Sequence, residues 1–454
     1  MLSGKNTGWS LANIAVNRFG YGAIANDLQH ATLDPVIWVK QQLQPVTFDD
    51  GLPHSSFMIA EHERYREYRK LLQEDSTNAS SKAMFNKEQA RKTVRQLSLA
   101  SLKRAIKSPH SVSWRLLDFF SNHFSVSATG RLMTGLAPTL EREAIASNLL
   151  GTFEDMLLAV EQHPAMIIYL NNEQSVGPNS KISKKRQSKG LNENLAREIL
   201  ELHTLGVNGG YQQTDVIELA KGISGWSIDK STNDDSAGFR FRKNAHEPGT
   251  RTLLGKRYSQ TGIAQGQMML SALANHPQTI AHICRKIACH FVSETPDDKL
   301  LVSMHNAWKA TNGSIKAVMH SMFESEYAWL ISPQKFKTPR EFIISTYRSL
   351  GTELVKDNIL LSGIRMLGQQ PFKAGTPAGY SDKIDDWLGA NALVSRIDWI
   401  YRLTGTLKNV NAENLMNNTL GLIPNHPTYL SVIRAESRHQ ALALLFLSPE
   451  FLRR

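Results

Sequence analysis

The densest set of residues able to do chemistry lies between Leu191 and Trp226. There LNENLAREILELHTLGVNGGYQQTDVIELAKGISGW gathers carboxylates, amides and a histidine at helical spacing. At ~100° per residue, Asn194, Arg197, Glu198 and Glu201 share one sector of a helix, with Leu205 among them. Carboxylates on adjacent turns suit a divalent cation or acid–base work, and Asn194 and Arg197 beside them suit binding of an anionic substrate group. The same spacing also suits an ion-pair ladder, Arg197 with Glu201 at i, i+4, in which the polar helix 192–205 is purely structural. His203 points the other way, among Leu195, Ala196 and Ile199. It reads as a packed histidine, or as one favouring the dipole at the helix C-terminus.

Burial separates the two readings. Glu198 and Glu201, once out of water, repel each other and need cations or donors that one helix cannot fully supply. The nearest later segment with that chemistry is the loop KNAHEPG at 243–249. The catalytic reading therefore expects Glu198 and Glu201 to be buried and to face His246 and Glu247. Those four are the candidate catalytic residues, and Glu198, Glu201, His246 and His123 are the candidate ligands of a divalent metal. His123 ends the aromatic-rich run WRLLDFFSNHF and is either packed or part of a site. Residues 174–190 contain Lys181, Lys184, Lys185, Arg186 and Lys189 with no acidic residue, which predicts a basic, mobile loop. Because that loop leads straight into the central helix, Lys185 and Arg186 are candidates for contacting an anionic small molecule or polymer.

The elements that must position these residues are mostly helical. Asn192 is a suitable N-cap for the central helix, and Gly206 with Gly209-Gly210 punctuates its end. A second helix is expected from Asp215, with Glu218 as its capping-box partner. Three His-Pro steps, at 163–164, 276–277 and 426–427, read as helix starts, since proline suits the first helical position. After Trp226 the period changes, and 226–228, 239–242 and 251–254 read as short strands. The fold expected is mainly α, one large multi-helix domain over 1–454 with a small β element near residues 226–258.

Composition narrows the function classes. The chain has 454 residues, and 52 Lys+Arg against 41 Asp+Glu give a net charge of +11, which favours anionic partners in general. Arg91, Lys92, Arg95, Lys103, Arg104 and Lys107 make one helix basic. No aromatics interleave them, so a solvated face is expected there rather than a nucleic-acid surface. Two cysteines, Cys284 and Cys289, are too few for a structural zinc site and poorly spaced for a disulfide. No run approaches the ~20 apolar residues of a membrane helix, and the first residues lack a basic-then-apolar leader pattern. The sequence as it stands reads as cytoplasmic. It contains no GxxxxGK, GxGxxG, HExxH or GxSxG motif.

Several segments together resemble the large bacterial family called domain of unknown function 1800. They are NRFGYGA, WVKQQLQP, LLDFFSNHFSVS, HPAMIIYLNNEQS, NENLAREILELHTLGVNGGYQQTDV, GISGW, FRF…HEPGTRTLLG, HPQTIAHICRKIACHFV, KFKTPREFI, PAGYSDKIDDWL and LSPEFLRR. They run in the family's order from about residue 13 to the C-terminus, 13–454. The resemblance implies a predominantly helical protein and no established activity. It also implies an exported or periplasmic location as the alternative to the cytoplasm, and a phosphatase- or sulfatase-like partner protein. The chain departs from the family pattern at Glu247, where Asp is usual after the histidine, and at Phe120-Ser121, where Trp-His is usual. It also lacks a visible export signal. Function is thus expected to be either hydrolase-like and metal-assisted on an anionic substrate, or non-catalytic, as a partner or assembly protein.

Overall fold

The computed structural model describes residues 9–24, 26–74, 79–185, 190–234, 237–330, 333–351 and 356–454. Helices dominate, and among the described residues the apolar faces close on a main core that runs from Ala12 to Leu452, with a small separate cluster of Leu52, Leu97 and Ala100. Each His-Pro step does start a helix, by a specific device. The Nδ1 atoms of His163, His276 and His426 accept from the backbone N–H groups of Ala165, Gln278 and Thr428, and so satisfy donors that the first turn leaves unpaired.

The β element is two antiparallel hairpins. β1 (Trp226–Asp229) pairs with β2 (Gly238–Phe241), Trp226 opposite Phe241, and β3 (Arg251–Leu253) pairs with β4 (Lys256–Tyr258), Arg251 opposite Tyr258. The second central helix is Gln213–Gly222, so it begins two residues before the expected Asp215. Asp215 sits inside the first turn, where its carboxylate reaches back to the N–H of Gln212 (2.9 Å) and across to that of Leu254 (2.8 Å).

Among the described residues, three π-helical turns break the helical rhythm, at Ala15–Phe19, Glu141–Ala146 and Ile199–His203. Such turns redirect side chains and carbonyls that a regular helix would hold along its axis. Pro138 lies just before the second of them, inside the helix Arg131–Leu140. The helices Ser111–His123 and Pro277–Phe291 touch through a few side chains. Arg115 meets the His290 carbonyl and the Phe291 ring, Phe119 meets the His290 ring, and His123 meets Lys286. Among the described residues no helix is long and apolar enough to cross a membrane.

Candidate active site

The helix singled out by its charges proves to be a ladder. Arg197 lies 3.2 Å from Glu193 and 3.7 Å from Glu201, and donates to Gln213 Oε1 at 2.9 Å. Asn194 is exposed, and Glu198 and Glu201 are half-buried, not buried as expected. The helix Asn194–Glu198 buries Leu195 and Ala196 and leaves its charged side to water. Burial still pushes the Glu198 carboxyl up, with Glu201 adding to it and His203 opposing it. Burial and Glu201 likewise push the Tyr211 phenol up to about 12.

The loop His246-Glu247 faces elsewhere. Glu247 is 2% exposed, and its oxygens accept from the backbone N–H and the side-chain amide of Asn179, each at 2.7 Å. A Cβ on Gly177 would come within 2.6 Å of Glu247 Cα, so the start of the basic segment packs directly on this loop. His246 Nδ1 donates to the Ser224 carbonyl at 2.9 Å, and burial holds its pKa down. Among the described residues no hydrogen bond or ion pair joins Glu198 or Glu201 to His246 or Glu247. Nor do three or more His, Cys, Asp or Glu side chains converge as metal ligands. Lys185 is exposed, and Arg186 and Lys189 lie outside the described residues.

His123 belongs to the core at 2% exposure. Its Nε2 donates to the carbonyl of His203 at 3.2 Å, and its Nδ1 accepts from Lys286 at 2.9 Å. Burial and the Lys286 charge push its pKa well down. His203 is packed as read, its Nδ1 2.7 Å from Glu161 in a fully buried pair.

A different place gathers polar groups around open space. Residues far apart in the chain line a cavity of about 110 Å³. Tyr21 arrives just after the first π turn, and Glu141 opens the second. Asp118, Ser121, Asn122 and Ser125 recur on one face of the Ser111–His123 helix and its exit, at the i, i+3, i+4, i+7 spacing of a helical stripe. Arg340 and Glu341 come from the first turn of the helix Pro339–Leu350.

The irregular segment 369–382 forms the remaining wall. It is fixed by Asn122, whose amide nitrogen donates to the Tyr380 carbonyl and whose amide oxygen accepts the Tyr380 N–H, both at 2.8 Å. Gly379 (φ +80°) permits this contact, because a Cβ there would lie 2.5 Å from the Asn122 carbonyl oxygen.

Within the cavity Asp118 Oδ2 accepts from the Tyr21 hydroxyl and from Arg340 Nε, the latter at 2.7 Å. Arg340 also donates to Ser101 Oγ at 3.0 Å. Burial pushes the Glu141 carboxyl up, and Asp118 adds to that push against Arg340. His290 turns Nδ1 toward Asp382 at 3.4 Å, and burial lowers its pKa. Below them Glu341 is gripped by Arg115 (3.3 Å) and Arg454 (2.9 Å) and accepts the Thr338 N–H at 2.8 Å. Burial would raise Glu341, but Arg454 and Arg115 overturn that and hold it at about 2. Asp382 is paired with Lys335 at 2.7 Å.

Residues 14–453 match the family described as "Protein of unknown function (DUF1800)". The chain belongs to this family. No curated protein and no solved structure matches it.

In this DUF1800 chain, six segments that carry the family resemblance meet at the cavity or its floor. NRFGYGA supplies Tyr21, LLDFFSNHFSVS Asp118, HPQTIAHICRKIACHFV His290, KFKTPREFI Arg340 and Glu341, PAGYSDKIDDWL Asp382, and LSPEFLRR Arg454. Chemically, the arrangement offers two carboxyl groups in contrasting surroundings. Asp118 is held by a guanidinium and a phenol, whereas Glu141 is desolvated and pushed toward its protonated form.

Proposed function

We propose that this protein is an enzyme of hydrolytic type, working by general acid–base catalysis in the cavity between Tyr21 and Asp382. The observation that carries this reading is the pair Asp118 and Glu141, two carboxyl groups opening on one cavity with opposed environments. Glu141 is the proton donor to a leaving-group oxygen. Asp118 takes both its hydrogen bonds on Oδ2, which leaves Oδ1 to accept a proton from an attacking water. Tyr21 and Arg340 position Asp118, as second groups must if a carboxylate is to hold one orientation.

For the helix 192–205 the reading we favour is the structural one, supported by the closure of Arg197 on Glu193, Glu201 and Gln213. The hydrolytic reading is tested with purified protein against chromogenic esters, phosphate and sulfate esters, and glycosides. Glu141→Gln should cost roughly 10²–10⁴ in kcat, the usual contribution of a positioned proton donor, and remove one limb of the pH–rate profile. A folded Glu141→Gln protein with the parent's rate and profile would sink the proposal.

A further inference from the structure

We infer that the cavity takes a neutral, hydroxyl-rich substrate, a carbohydrate ring, rather than an anionic or a cationic one. The inference rests on the reading of this cavity as the active site.

It begins with what the wall offers. Four carboxyl groups line the cavity, from Asp118, Glu141, Glu341 and Asp382, against the single guanidinium of Arg340. That guanidinium is already committed to Asp118 and Ser101. The other nearby cations are turned to the floor. Arg115 and Arg454 grip Glu341, Lys335 grips Asp382, and none of the three lines the cavity. An entering anion would therefore meet oxygen lone pairs and, among the described residues of the wall, no cation without a partner. This differs from the anionic substrate expected from the net charge of +11, because that excess is not displayed here.

A cation is disfavoured for a complementary reason. Asp118, Glu341 and Asp382 each have a cationic partner, and burial pushes Glu141 toward neutrality. The wall is rich in acceptors but close to balanced in charge, so a charged ligand would be desolvated without compensation. Neutral O–H donors fit such a wall.

Among the described residues of the wall, some buried acceptors have no hydrogen-bond partner. Glu341 Oε1, on a side chain 7% exposed, faces Arg115 but has no hydrogen-bond partner among the described residues. His290 Nε2 has none either, and with Nδ1 turned to Asp382 it is an acceptor. Tyr380 and Phe372 on the 369–382 wall add ring faces for the apolar side of a sugar.

The experiment is binding to the full-length Glu141→Gln protein, measured by calorimetry and ligand-observed NMR. The probes are glucose, galactose, N-acetylglucosamine and cellobiose, against glucose 6-phosphate and glucosamine on the same ring scaffold. Saturable binding of a neutral sugar is expected, weaker by about tenfold or more for its phosphorylated or ammonium counterpart, the equivalent of one lost charged-group hydrogen bond. Tyr380→Ala, on the half-exposed wall, and Asp118→Asn should each weaken it by a similar factor in protein that circular dichroism shows to be folded at the assay temperature.

Preferential binding of glucose 6-phosphate or glucosamine overturns the inference, and so does saturable binding of none of the neutral sugars. If that happens while Glu141-dependent hydrolysis of another ester class persists, the substrate class fails and the active site stands. If sugars bind but neither Asp118→Asn nor Tyr380→Ala affects them, the site itself is misassigned.

Discussion

Replacing Glu341 by glutamine should be among the most destabilising conservative changes available to this protein. The carboxylate is buried between Arg115 and Arg454, and its pKa is lowered from 4.5 to about 2. A difference of that size corresponds to roughly 3 kcal/mol, at about 1.4 kcal/mol per unit. An independent expectation agrees, since removing one member of a buried ion pair typically costs about 3–5 kcal/mol by stranding the other. Glutamine keeps the shape and can still accept from Thr338, so the loss would report the charge.

Because the folded pKa is depressed, this contribution is complete above the unfolded value of 4.5 and fades as pH falls through about 2. Urea unfolding at neutral pH, repeated down to the acid limit, reads both parts. The parent should lose stability steeply below pH 4.5, and Glu341→Gln should start about 3 kcal/mol lower with a shallower acid limb. A variant within about 1 kcal/mol of the parent at neutral pH, in the range of an exposed pair, would refute the reasoning. An acid limb parallel to the parent's would do the same.

Lys337 is 1% exposed, and burial pushes its pKa down to about 7, so the unfolded chain binds more protons above that pH. Stability from this group should rise between pH 7 and the lysine range, and Lys337→Met should remove that rise; an identical alkaline slope in both proteins contradicts it. Asp215→Ala strands the N–H groups of Gln212 and Leu254 and should cost about 1–3 kcal/mol in urea melts, more than a simple cap, and a cost near zero would show that water replaces both bonds. Glu247→Gln places an amide nitrogen against the donors of Asn179, so trypsin should cut faster at Lys181, Lys184 and Lys185, and an unchanged cleavage rate would show the clasp is dispensable.

The contrast between the two sites explains what could be read from the chain beforehand. Helical periodicity, the short strands after Trp226 and the His-Pro starts are local, because each element's pattern involves residues a few positions apart. The Arg197 ladder was legible for the same reason. Carboxylates and cations that neutralise one another within two turns need nothing from the rest of the fold and can stay half in water.

A carboxyl group whose pKa burial raises, such as Glu141, needs a setting closed to water. Glu141 lies in LAPTLEREAIA, beside Arg142 and Glu143, and Asp118 in WRLLDFF, after Arg115. Their partners, Tyr21, Arg340 and Ser101, come from distant segments, joined by topology and by a π turn that no periodicity announces. The partner of Glu247 was hidden for a related reason. A carboxylate beside a histidine in a Gly/Pro loop looks available, yet Asn179 arrives from sixty-eight positions away and occupies both oxygens. What sets Asp118 and Glu141 apart is therefore not their neighbours in the sequence but the distant residues that folding brings to them.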